Sequence, residues 1–150
     1  MNIKEEFRLA LRELVYPVCV VSAYNDQTNE NHAITVSSVT SLSFDPPSIL
    51  VCINKDSSIH SSLKKDSNFN ISFLASSQTE ISNLCGTDKL SDKRFDNDFW
   101  DFKNNIGFIK NSQSVISCTI KEITNHGSHS VFFGDVVEVI KNGNTKPLLY

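Results

Sequence analysis

Apolar and polar positions along the chain fall into two periods, and the changes between them mark out the elements. Phe7, Ala10, Leu11 and Leu14 recur at helical spacing among Lys4, Glu5, Arg8 and Arg12. This predicts an amphipathic helix over residues 3–15 that packs on something apolar. Tyr16-Pro17 ends it, because the residue before a proline is pushed out of helical geometry. Val18 to Tyr24 reads as a buried strand and residues 25–31 as a polar turn. Ile34 and Val36 then alternate with Thr35 and Ser37, as in a half-buried strand. The alternation slips at Ser37-Ser38-Val39 and resumes with Leu42 and Phe44, which predicts a bulge or bend. Pro46-Pro47 makes a rigid turn, and Ser48 to Ile53 is a continuous apolar strand. Asp56, Ser57 or Ser58 is positioned to cap a short helix through Leu63.

Further on, Phe69, Ile71 and Phe73 alternate with Asn70 and Ser72, a strand with one wet face. Ser77-Gln78-Thr79-Glu80 has the form of a capping box opening a helix to about Leu84. Residues 86–113 read as a polar connection. Its aromatics, Phe95, Phe99, Trp100, Phe102 and Phe108, fold it back as a packed lid or dimer arm. Ile116, Cys118 and Ile120 alternate, as do Val131, Phe133, Val137 and Val139. Asn125-His126-Gly127 and Asn142-Gly143 supply tight hairpin turns. Roughly six strands and two or three helices, without a strand–helix–strand rhythm, predict a mainly β fold. We expect one domain over residues 1–150, an antiparallel barrel with a few attached helices.

Composition narrows the function. A formal charge of −3, with no basic run interleaved with aromatics, argues against nucleic acid and acidic membrane surfaces as partners. Glu5 and Glu6 precede any apolar run, which argues against a secretory leader or transit peptide. No apolar run approaches the ~20 residues that span a bilayer. Cysteines at 19, 52, 85 and 118 are evenly spaced, yet their neighbours share no turn signature, so the period reads as coincidence. There is no Cys-x-x-Cys pair to support zinc or dithiol chemistry, and the simplest compartment is a reducing cytoplasm.

Thr35 to Thr40 and Asn54 to Ser58 put small hydroxyl residues at corresponding ends of neighbouring strands. Such a face is either simply solvated or a surface for a flat phosphorylated ligand. In the second case Lys55, Ser57, Ser58 and the following helix N-terminus would cradle the phosphate. In Asn125-His126-Gly127-Ser128-His129, two histidines lack a third metal ligand beyond His32 and His60, so no metal is assigned. His129, opening a strand, is the better placed to face a ligand's carboxamide or phosphate. No nucleophile elbow, Gly-rich phosphate loop or carboxylate pair is present.

Together these blocks resemble the short-chain flavin reductase family, flavin reductase-like proteins with an FMN-binding split barrel. Thr35-Val36-Ser37-Ser38 with Ser41, Asp45-Pro46-Pro47 and Leu50-Val51-Cys52-Ile53-Asn54 is similar to the family's main flavin-binding block. Phe69 to Leu74 with Gln78, Arg94-Phe95, Gly127-Ser128-His129 with Gly134-Asp135-Val136, and Pro147-Leu148-Leu149-Tyr150 resemble its later segments. Ala33 departs from it, standing where the family usually carries glycine. The resemblance implies flavin contacts from Thr35, Val36, Ser37, Ser38, Val39, Thr40, Cys52, Ile53, Asn54, Lys55, Ser57 and Ser58. It implies a nicotinamide side formed by His129, the candidate catalytic residue, with Pro147, Leu148, Leu149 and Tyr150. It further implies a homodimeric, cytoplasmic NAD(P)H:flavin oxidoreductase that takes free flavin, FMN or FAD, with NADH or NADPH as hydride donor. The reduced flavin then serves a separate flavin-dependent monooxygenase. The residues alone leave two rivals open, an FMN-binding electron carrier and a non-enzymatic β-barrel binding module. They also leave open whether flavin is a bound cofactor or a diffusing substrate.

Overall fold

The computed structural model describes residues 1–143 and 146–150. In chain order the elements are α1 (Ile3–Arg12), β1 (Cys19–Asn25), β2 (Glu30–Val36), β3 (Val39–Phe44), β4 (Pro47–Asn54), β5 (Asn68–Phe73), α2 (Thr79–Leu84), β6 (Trp100–Lys103), β7 (Ile106–Ile109), β8 (Ser114–His126) and β9 (His129–Lys141). Short 3-10 segments cover His60–Ser62 and Asp88–Lys93. Seven strands form one antiparallel sheet in the order β2-β1-β5-β8-β9-β4-β3.

The two edges of that sheet are consecutive in the chain, joined only by Ser37 and Ser38. Three backbone steps reach at most about 11 Å, so the sheet curls until its edges nearly meet. The result is the split antiparallel barrel, open between β2 and β3. Its interior is filled by Cys19, Val21, Ile49, Val51, Ile53, Phe69, Ile71, Cys118, Ile120 and Phe132.

Several expectations need correction. The connection 86–113 is not a loop: it contains the β6–β7 hairpin, which lies over β1 and β5. The face of β5 read as wet is therefore buried. Asn70 Nδ2 and the Ser22 hydroxyl both donate to the Gly107 carbonyl, and Ile109 N donates to Ser72 Oγ. The polar pattern is answered by hairpin backbone rather than by water. The short helix before Leu63 is a single 3-10 turn whose N-cap, Ile59, makes no side-chain cap bond. The capping box is likewise absent, since the Gln78 side chain accepts from Ala75 N and makes no cap bond to α2.

Along β9 the buried residues are Ser130, Phe132 and Gly134, while Val137 and Val139 are exposed, so the valines' alternation marks the outer face. The Gly127-Ser128 hairpin is present, with Gly127 at φ +57°. Asn142-Gly143 instead ends β9, and no further strand follows it among the described residues. Helix α1 ends at Arg12, three residues before the predicted end, and buries none of its residues against this chain.

Candidate functional site

Two clefts meet where β2, α2 and the segment after α2 converge. The larger, about 620 Å³, is lined by Val18, Thr35, Ser82, Gly86, Thr87, Leu148, Leu149 and Tyr150 among others. The smaller, about 220 Å³, is lined by Ile34, Asn54, Asp56, Ser57, Cys85, Asp88 and Arg94. Gly86 and Thr87 line both. The combined space falls within the range of small-ligand pockets, a few hundred to about 1,000 Å³.

Local contacts fix each wall. Thr35 Oγ1 donates to the Ser82 carbonyl at 2.6 Å, and Thr35 N donates to the Cys85 carbonyl at 3.0 Å. These bonds finish the outer edge of β2 with α2. The C-terminal residues thread between two segments: Val18 N donates to Leu148 O, Leu148 N to Leu74 O, and Tyr150 N to Tyr16 O. That brings Leu148, Leu149 and Tyr150 beside Thr35. Arg94, only 4% exposed, donates to the carbonyls of Leu84, Ala33 and Thr87, with Asp88 Oδ1 at 3.4 Å. One guanidinium thus binds the segment after α2 to β2.

The residues picked out from sequence separate into groups. Thr35, Leu148, Leu149 and Tyr150 share the larger cleft, and Asn54 and Ser57 line the smaller. Val36 and Val39 pack on the barrel core, and Ile53 is fully buried in it, so Ile53 can offer a ligand only backbone. Ser38 Oγ donates to Cys52 O at 2.7 Å, holding the β2–β3 link to β4. Thr40 is exposed on β3, and half-buried Cys52 pairs with Val131. Pro147 bridges to Ala75 and lines neither cleft.

The cradle is leaner than its sequence suggested. A single 3-10 turn has no helix dipole to offer, and Ser57 spends its proton on Asn54 O at 2.6 Å. Ser37 and Ser58 keep free hydroxyls among the described residues, and Lys55 Nζ bonds Gly127 O at 3.0 Å. His129 pairs with Asn54 across β4–β9 and lines neither cleft; Ser128 Oγ lies 2.8 Å from its Nδ1. Sequence reasoning passed over Ser82, Gly86, Thr87 and Asp88, and gave Arg94 no role. The Arg94-Phe95 pair and the Cys85-Gly86 helix end were the only local signals for them.

The residues present fit a flavin. Thr35, Asn54 and Ser57 line the open, partly apolar clefts, and Ser37, Lys55 and Ser58, which line neither, lie within two residues of them in the chain. Burial pushes the Cys85 thiol up to about 12, against a lowering influence from Arg94, so it stays a protonated wall rather than a nucleophile.

Comparison with known proteins bears on this arrangement. Residues 11–150 match the family described as flavin reductase like domain. The reductase component of an FADH(2)-dependent resorcinol hydroxylase from Rhizobium sp. (strain MTP-10005) is 30% identical over 150 residues, covering 99% of this chain and 84% of that protein. The FMN reductase (NADH) RutF of Pantoea ananatis (strain LMG 20103) is 29% identical, covering 98% and 77%. The solved NADH:FAD oxidoreductase of Streptomyces globisporus C-1027 superposes with a TM-score of 0.89 at 23% identity, over 99% of this chain and 88% of that one. The chain belongs to the flavin reductase-like family.

Proposed function

We propose that this chain is an NAD(P)H-dependent flavin oxidoreductase that reduces FMN, or alternatively FAD, and supplies the reduced flavin to a separate monooxygenase. The observation that carries this reading is the pair of clefts sharing Gly86 and Thr87, bordered by the hydroxyl-rich ends of β2 and β4. When bound, the flavin and the nicotinamide supply the hydride acceptor and donor themselves, so the protein needs no acid or nucleophile of its own. Its residues bind, orient and exclude water.

The Asn54–Ser58 turn and Lys55 hold the phosphate end of the flavin. Ser37 and the backbone of 37–40 would face the ring and donate where negative charge develops on it, while Ser38 holds that link to β4 through Cys52 O. Thr35, Leu148, Leu149 and Tyr150 form the nicotinamide wall. His129, at the hairpin tip and outside both clefts, remains the one candidate catalytic side chain and would have to reach the nicotinamide from there.

The reading extends to a homodimer. Phe7 and Leu11 are 63% and 39% exposed on a helix none of whose residues is buried, and Leu14, just past its end, is 52% exposed. A lone ten-residue helix is marginal in water, and a second copy supplies the missing apolar surface. A reducing cytoplasm suits the four free cysteines. None of the described helices is long and apolar enough to cross a membrane.

The test is quenching of FMN fluorescence by purified protein, followed by stopped-flow oxidation of NADH and NADPH with FMN present. Quenching with rapid nicotinamide oxidation is expected. No quenching sinks flavin binding, and quenching without oxidation leaves an electron carrier. His129→Ala should slow reduction while FMN affinity holds, and an unchanged rate removes His129 from the mechanism.

A further inference from the structure

Residues 55–62 carry the proposed phosphate cradle, yet they lie outside every strand. Two histidines that line neither cleft hold this loop from opposite sides. From β2, His32 Nδ1 lies 3.0 Å from the Ser58 carbonyl and 3.1 Å from Ser62 Oγ. A carbonyl only accepts, so Nδ1 carries the proton and donates, with Ser62 sharing it. Glu30 Oε2 stands 3.5 Å from the other ring nitrogen.

From the loop, His60 Nε2 lies 2.8 Å from Ser130 Oγ on β9. Ser130 gives its own proton to Asn125 Oδ1 at 2.6 Å, so here Nε2 is the donor. Ser130 is fully buried, and the His60 ring meets Phe132 edge-on with centroids 5.7 Å apart. Ile59, between the two anchors, is buried as well. Both contacts cross from the loop to the barrel wall, and each uses a different ring nitrogen.

We infer that His32 and His60 are positioning residues that fix the Asn54–Ser58 turn for the flavin phosphate, His32 through Nδ1 and His60 through Nε2. The inference rests on the cradle reading above. It has a consequence specific to the atoms involved. The amide nitrogen of asparagine reaches roughly where a histidine Nδ1 sits, and that of glutamine where Nε2 sits. His32→Asn and His60→Gln therefore keep the tether, whereas His32→Gln and His60→Asn lose it. A general packing role would rank the two amides alike at both positions.

The experiment measures dissociation constants for FMN and riboflavin by flavin fluorescence, on the wild type and the four amide variants of the full chain. Thermal unfolding is followed in parallel. Expected is a loss of about tenfold in FMN affinity for His32→Gln and His60→Asn, the order of one hydrogen bond's worth of positioning. Riboflavin should change less than about twofold, and the matched variants His32→Asn and His60→Gln should track the wild type. Equal losses for both ligands, or two amides behaving alike at either position, overturn the assignment. A wild type that binds riboflavin as tightly as FMN overturns the cradle itself and the tether with it. A wild type that prefers FMN without the crossed pattern overturns the tether alone.

Discussion

Thr35 on the outer edge of β2 donates its hydroxyl to the Ser82 carbonyl of α2 at 2.6 Å, while its amide donates to Cys85 at 3.0 Å. An edge strand has no strand neighbour on one side, and here a six-residue helix takes that place. Thr35→Val keeps the shape, removes the hydroxyl and leaves the Ser82 carbonyl without this donor. The expected cost is about 1–2 kcal/mol in urea unfolding. Because Thr35 also lines the larger cleft, the KM for the nicotinamide should rise, whereas Thr35→Ser should restore both quantities.

Arg94 is a stronger tie of the same kind. Its guanidinium serves three backbone carbonyls on two segments, and lysine, with one nitrogen, cannot reproduce that fork. Arg94→Lys should lower stability by about 2–4 kcal/mol despite conserving charge. FMN affinity should fall with it, since the segment 84–88 walls the smaller cleft. Chemical denaturation and flavin quenching on the same preparation check both effects.

Gly107 is where the β6–β7 hairpin comes closest to its own aromatic. A Cβ there would lie 2.8 Å from Trp100 Cε3 and 3.2 Å from Phe102 Cε1. The Trp100 indole also donates to Arg94 O, so it is not free to swing aside. Gly107→Ala should therefore cost about 1–3 kcal/mol through overpacking. The hairpin should show faster amide exchange, while the distant Asn54–Ser58 turn is unaffected.

These cases also show which features a sequence exposes. β1, β4, β5 and β8 were legible because each carries an unbroken or alternating apolar run. β6 and β7 were not, because four-residue strands are too short for periodicity to register. The available signal was Asn104-Asn105 between Trp100-x-Phe102 and Ile106-x-Phe108, and both asparagines have positive φ, at 52° and 69°. Asn70 and Ser72 misled because a polar residue paired to backbone looks, in sequence, like one facing water. In the site, the hydroxyl block of β2 and β4 stood out as a local pattern. Arg94 did not, since its partner Ala33 is 61 residues away and no local pattern encodes that contact.

The helix α1 was legible as amphipathic, and its exposed stripe gives a direct test of the proposed dimer. Phe7→Ser with Leu11→Ser leaves the barrel untouched, because neither side chain is buried in it. Sedimentation should show a shift from dimer to monomer, with the urea midpoint of a dilute sample falling as dimer linkage is lost. A wild type that sediments as a monomer would remove the dimer proposal, and a variant that stays dimeric beside a dimeric wild type would place the interface on another surface.

Three thiols give the fold an alkaline limit. Burial pushes Cys19, Cys85 and Cys118 up to about 12, from 9.0 when exposed; nearby Asp135 adds to the rise at Cys118. Above pH 9 the unfolded chain loses these protons while the folded chain keeps them, so unfolding is favoured as pH rises. The contribution is complete below pH 9 and is lost progressively toward pH 12. Each thiol adds a slope of up to about 1.4 kcal/mol per pH unit, so by pH 10 the three together remove roughly 4 kcal/mol. Against a typical stability of about 5–15 kcal/mol, that is enough to bring the urea midpoint down sharply. Cys85→Ala should flatten the slope between pH 9 and 10 by about a third, since one of three equal contributions is gone. Half-buried Cys52 lies outside this group, and it alone of the four should react quickly with a thiol reagent in the native protein at pH 8. Fast reaction of more than one thiol, or a midpoint that stays level from pH 8 to 10, would show that the three buried sulfurs are reached by water.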